Sequence, residues 1–211
     1  MAAEQGEPLT EGAKVGRWRR AHPSRLSGPA GLGRWAIIFG IMTPEAPCLL
    51  VASPSLLDPN FLHAVVLIIE HDEEGALGLI LNRPLPLALA QVSEEGGMAY
   101  QGSEEGTAWR GGPVDPQRGI LLVQGGLPAE EDTVVDLTHF VSHRKDLLEA
   151  LLADPTARYR LFLGYAGWSP GQLDQELEIG AWTRRPVVSE WLMHPDPTGL
   201  WQVALGSEAS G

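Results

Sequence analysis

The chain has 211 residues, 44% of them apolar and 20% charged, which suits one soluble domain with a short appended segment and enough apolar side chain for a real core. Its formal charge of -12 is uneven: residues 1–41 hold six basic side chains against three acidic ones, so 42–211 carry a net of -15. So acidic a body repels phosphate backbones and disfavours direct DNA binding, while the single Cys48 excludes an internal disulfide framework and a multi-cysteine metal site.

Residues 1–41 are rich in Gly, Ala, Pro, Ser and Arg and lack periodicity, so they are expected to be a disordered basic extension. The apolar cluster Trp35-Ala36-Ile37-Ile38-Phe39 is too short, and too poorly followed by a cleavage site, for a secretory signal. Met42 stands immediately before the first well-patterned segment and is a candidate start of the native chain. A domain over 42–211 in the cytoplasm, with no membrane span, is the resulting expectation.

Residues 49–52 read as a strand, and Asp58-Pro59 as a turn or single helical turn. Two continuous apolar runs, 64–69 and 77–81, flank the charged turn at 71–75 and predict an antiparallel hairpin buried on both faces. Gly78 inside the returning run points to a bulge or a close backbone contact. Pro84 and Pro86 end this unit; one or two helical turns are expected over 85–92, then a Glu- and Gly-rich mobile loop over 93–106. Short strands are expected at 107–110, 119–124 and 133–137. Ser142 precedes an apolar stripe of Leu147, Leu148, Leu151 and Leu152, predicting a helix over 144–153 capped by Ser142.

Residues 160–165 form a strand pattern, followed by the densest local signals in the chain. Ser169 and Gln172 are spaced as a capping box, with Pro170 at the first helical position, Trp168 and Leu173 as a hydrophobic staple, and Gly180 as a left-handed stop. A last strand is expected over 187–193 and a helical turn or two over 200–205. Many interrupted strands and few helices make an α+β fold with a curved, largely antiparallel sheet.

The blocks LLVASPSLLDPNFLHAVVLIIEHDEEGALGLILNRPL (49–85), GGPVDPQRGILLV (111–123) and LGYAGWSPGQLDQEL (163–177) resemble the three signature blocks of the bacterial AlgH/YqgE family. The resemblance spans about 48–205 and implies a bifurcated sheet forming a pseudo-barrel with flanking helices. It implies no reaction; one family member is described as a regulator of alginate synthesis. Departures from the family pattern include His63-Ala64 for Arg-Ser, Gln124 where His often follows, and Ile179-Gly180-Ala181-Trp182 for an Asn-Ser-Trp ending.

For chemistry, Cys48, His63, His71 and His139 supply raw material, but there is neither a G-x-S-x-G elbow nor a cysteine-protease signature. The run Glu70-His71-Asp72-Glu73-Glu74 holds metal-ligand types, yet neighbouring strand residues point to opposite faces, which favours a solvated hairpin turn. Gly164, Gly167 and Gly171 precede a helix start without a phosphate-loop lysine, and Asp174 and Glu176 would repel an anion there. No cofactor or metal is therefore expected. The candidate binding residues are Tyr165, Trp168 and Gln172, with Asn82 and Arg83 as a neighbouring loop end. The functional expectation is a non-enzymatic regulatory protein acting through a protein or small-molecule partner. The alternative is a hydrolase-like enzyme with a pocket near Tyr165, Trp168 and Arg83.

Overall fold

A computed structural model describes residues 46–206. The expectations for 1–41 and for Met42 lie outside these residues. Within them, β1 (Cys48–Ala52), β2 (Val65–Asp72) and β3 (Gly75–Ile80) form an antiparallel unit, with β1 and β2 in register from Cys48↔Ile68 to Val51↔Val65. The β2–β3 hairpin has its expected turn, and a bulge opposite Gly78 shifts the register between Ile68 and Glu70. A Cβ at Gly78 would come within 2.8 Å of the Leu67 carbonyl oxygen, so the close contact read from the sequence is present.

The chain then departs from expectation. Residues 84–88, with two prolines, form β4 (Pro84–Ala88) rather than helix, and α1 (Leu89–Glu95) follows. Among the described residues β4 pairs only with β5 (Thr107–Arg110), an edge position where missing proline N–H groups cost no ladder bond. β6 (Val114–Gln124) starts five residues before the expected strand. The strand expected over 133–137 shrinks to β7 (Thr133–Val134), and an unforeseen β8 (His139–Ser142) pairs with β6. Ser142 therefore ends a strand instead of capping α2 (Lys145–Ala153), whose N-cap is Arg144. Ser142 Oγ still accepts the Arg144 N–H, at 3.2 Å.

β9 (Arg158–Trp168) runs straight through the segment expected to turn, and α3 (Gln172–Glu178) begins late, behind Gly171 at φ 70°. Half of the capping box survives: Gln172 Oε1 accepts the Ser169 N–H at 3.0 Å, while Ser169 makes no cap. Gly180, at φ 72°, ends the helix as read. β10 (Trp182–Arg185) and α4 (Ser189–Leu192) replace the strand expected over 187–193, because β10 finds its partner in the distant β1. α5 (Leu200–Gly206) agrees with the helical expectation.

The sheet order is β10-β1-β2-β3-β9-β6-β8-β7, with the β4–β5 pair branching off β9. It is open, mostly antiparallel and forked. β5 lies parallel to β9 at Phe162 and Leu163, and β3 takes over antiparallel pairing from Ala166 to Trp168. At the fork Gly164 adopts φ 72°, and a Cβ there would sit 2.8 Å from the Val114 carbonyl oxygen. Gly111 bridges the branches, accepting from Ile80 N at 2.9 Å and donating to the Leu163 carbonyl at 2.9 Å. Gly112 packs so tightly on the Tyr165 backbone that a side chain has no room.

Burial follows from the fork. A central cluster takes Leu49, Val51, Leu67, Leu79, Leu122 and Phe162, covered by Trp191 and Leu192 of α4 and Leu200 and Ala204 of α5. Leu50, Val66, Ile68, Trp168, Leu173 and Trp182 form a second cluster on the other face of the β1–β3 arm. Leu121, Val123, Phe140, Leu161 and Leu152 form a third behind the β6–β8 arm. Because Gly164 inserts a left-handed residue, Phe162 and Tyr165 both face the central cluster although they are three apart.

Candidate functional site

The five residues singled out in the sequence fall in three places. Tyr165 is buried in the central cluster, with the Arg118 guanidinium 5.6 Å from its ring centre. Trp168 faces the second cluster, so the two aromatics lie on opposite faces of β9 and share no wall. Trp168 and Gln172 do come together, through Glu176. The Trp168 and Trp182 indoles both donate to Glu176 Oε2, at 2.9 and 2.8 Å, and Gln172 Nε2 donates to Oε1 at 2.8 Å. Phe61 completes this aromatic bracket, stacked on Trp168 at 5.9 Å and edge-on to Trp182 at 5.5 Å.

Asn82 and Arg83 do a different job. Asn82 Oδ1 accepts from Val65 N at 3.1 Å and its Nδ2 donates to the His63 carbonyl at 2.9 Å. Arg83 donates to its neighbour's carbonyl and to that of Leu62. Both side chains bind the loop before β2 to the end of β3. Burial, reinforced by Arg110, lowers the Arg83 pKa. The three glycines of the opening motif also separate: Gly164 makes the fork, Gly167 is an exposed strand residue, and Gly171 starts α3. Near the end of β2, His71 points at Asp174, 3.7 Å away, and no group of three metal-ligand side chains forms among the described residues.

A second constellation links residues far apart in the chain. Asp136 closes an Asx-type turn ahead of β8, accepting the Thr138 N–H at 2.7 Å and the His139 N–H at 2.8 Å through Oδ1. The same carboxylate meets His139 Nδ1 at 3.0 Å and receives the Ser189 hydroxyl at 2.6 Å on Oδ2. Burial alone would raise the Asp136 pKa, but the hydrogen bonds from Ser189, Thr138 and His139 prevail and hold it well below the carboxylate range. An ionised Asp136 accepts only, so the imidazole carries a proton on Nδ1. His139 is 2% exposed, and its Nε2 has no partner among the described residues.

Ser189 opens α4, and α4 borders an open pocket of about 460 Å³ lined by Gln124, Arg158, Arg160, Ser189, Glu190 and Met193 among others. Gln124 and His139 are paired across β6 and β8, and Gln124, Arg158 and Arg160 follow the side-chain alternation that puts Leu122 and Phe162 in the central cluster. Arg160 is the anchor. Nη1 donates to the Leu81 and Leu192 carbonyls at 3.2 and 3.3 Å, Nη2 to that of His194 at 2.5 Å, and the guanidinium lies 3.8 Å over the Trp109 ring. Burial pushes its pKa down to about 10, which leaves it cationic at neutral pH. Burial also raises Tyr159, with Tyr100 adding to it, to about 12, so the phenol stays neutral.

Sequence reasoning picked His139 as raw material but missed Asp136, Ser189 and Arg160. The D-x-T-H turn was the one local signal for the acid. Ser189 lies 53 residues further on and is placed only by the packing of α4.

The class defined by these features is an α+β protein with a forked, open sheet and a polar pocket beside a short helical turn. The family model described as AlgH-like matches residues 49–209, and the chain belongs to that family. A UPF0301 protein of Myxococcus xanthus is 40% identical over 161 residues, covering 76% of this chain and 88% of the relative. A UPF0301 protein of Streptomyces coelicolor is 42% identical over 163 residues, covering 74% and 83%. The solution structure of the AlgH protein from Pseudomonas aeruginosa superposes with a TM-score of 0.65 at 29% identity, covering 82% of this chain and 94% of that one. A crystal structure of a Corynebacterium diphtheriae protein gives 0.64 at 25% identity, covering 76% and 85%.

Proposed function

We propose that this protein works by binding, in a regulatory role and without catalysing a reaction, and that its ligand site is the open pocket beside α4. One observation carries the reading. Asp136 stands between Ser189 and His139, so the hydroxyl proton is held by a carboxylate and not by the imidazole. An activated serine needs its base on the hydroxyl and an orienting acid beyond the base; here the order is hydroxyl, acid, imidazole. The cluster fixes α4 beside the pocket.

A protein or small molecule in the cytoplasm is the partner we favour over DNA, because of the net -15 in 42–211. Affinity selection of metabolites and proteins by the full chain, compared with a Ser189→Leu variant that fills the pocket mouth, tests the reading. We expect a retained ligand that the variant loses. Salt-dependent duplex DNA binding at physiological ionic strength would overturn the choice of partner.

The hydrolase-type alternative has one observation in its favour, the buried His139 Nε2 with no partner among the described residues. Turnover of an ester, phosphoester or peptide panel that disappears in both Ser189→Ala and His139→Gln would replace binding with catalysis.

A further inference from the structure

We infer that the α4 pocket takes a small anion that also bears a hydroxyl, of the hydroxycarboxylate or phosphate-monoester class. The inference rests on the binding reading above and adds the chemistry of the ligand. Its first support is an unbalanced charge. Arg160 is 8% exposed, and its partners among the described residues are three neutral carbonyls and an aromatic face. No carboxylate of the described residues pairs with it. A buried cation is costly without a counter-charge, and carbonyl dipoles compensate only in part.

The second support is the donor inventory. A guanidinium has five N–H groups. Three are used on the Leu81, Leu192 and His194 carbonyls, so among the described residues Nε–H and one Nη2–H are left for a ligand. Arg158, two residues earlier on the same strand face, is exposed, lines the pocket and forms no ion pair among the described residues. Against these two cations the lining has one carboxylate, the solvent-exposed Glu190.

The hydroxyl follows from Ser189. Its proton is committed to Asp136, so the serine oxygen can offer the pocket only lone pairs. A ligand meeting both walls presents negative charge to the arginines and a donor to Ser189. A carboxylate and a phosphate monoester satisfy the arginines equally, and the test separates them.

Calorimetric titration of the full chain with malate, succinate, glycerol 3-phosphate and inorganic phosphate, at constant ionic strength in chloride, decides the matter. Malate and succinate differ by one hydroxyl. We expect saturable binding of malate or glycerol 3-phosphate, with malate about fivefold tighter than succinate if the carboxylate arm is the binder. Arg158→Gln, a surface change that leaves the Arg160 contacts intact, is expected to weaken binding about tenfold while the melting temperature without ligand stays unchanged. Arg160→Lys is expected to lose binding as well, but it also loosens α4, so Arg158→Gln carries the conclusion. No saturable binding by any of the four anions, or equal affinity in wild type and Arg158→Gln, overturns the inference. A neutral or cationic ligand retained by wild type and lost in Ser189→Leu would remove the anion while leaving the binding reading in place.

Discussion

At the scale of single residues, Asp136 has the clearest consequence. Its folded-state pKa lies below the ordinary value of about 3.9, so the folded state takes up its proton less readily than the unfolded chain does. The stabilisation is complete above pH ~4 and is lost as pH falls from there toward the folded-state value. Asp136→Asn should cost about 1–2 kcal/mol at pH 6, from weakened hydrogen bonds to Ser189 and the β8 turn. Urea unfolding at pH 6 and pH 3 checks this: the gap between variant and wild type should narrow at pH 3. A gap of constant size would show that another acid governs that window. Glu176 is a second case, since one carboxylate oxygen receives two indole N–H groups. Glu176→Ala strands both donors and should cost about 2–3 kcal/mol in the same assay, whereas Glu176→Gln keeps an acceptor and should cost less.

Among the elements, β9 decides most. It pairs with β6 along one edge and with β5 and then β3 along the other, and Gly111, Gly112 and Gly164 make room where these strands meet. Gly112→Ala drives a methyl group into the Tyr165 backbone, which has no flexible end to yield, and should cost about 3 kcal/mol. A thermal melt within ~2 °C of wild type would mean the fork opens more easily than its packing suggests. The same element marks what the sequence could reveal. The β2–β3 hairpin was legible because its apolar runs and its turn are local, as was the leucine stripe of α2. β4, β8 and β10 were not, because each owes its strand state to a distant partner: Pro84 opposite Trp109, Val141 opposite Leu122, Trp182 opposite Ala52. The capping box at Ser169 misplaced the start of α3 because pairing with β3 keeps the chain extended as far as Trp168. The Asp136–Ser189 contact had no local pattern to announce it, and a buried arginine such as Arg160 looks like any other arginine until its carbonyl partners are in place.

Over the whole described body, no helix is long and apolar enough to cross a membrane. The three apolar clusters are not independent, because β9 contributes Phe162 and Tyr165 to one, Ala166 and Trp168 to another and Leu161 to the third. Unfolding should therefore be a single transition. Trp182 lies in the second cluster and Trp191 in the central one, so single-tryptophan variants retaining one or the other should report the same midpoint in urea. Two separated midpoints would show that the arms unfold apart. Phe162→Ala, at the fully buried junction, should lower both midpoints together and cost about 3–5 kcal/mol.

The late position of β9 also matters while the chain is being made. β1 to β3 and β5 to β6 leave the ribosome before the strand that joins them, and β1 waits longer still for β10. Until Trp168 has emerged, β3 and β6 each present an unpaired edge to the surrounding solution. During synthesis those edges need shielding, and a pause in translation just before residue 158 would prolong the interval in which nascent copies can pair with one another.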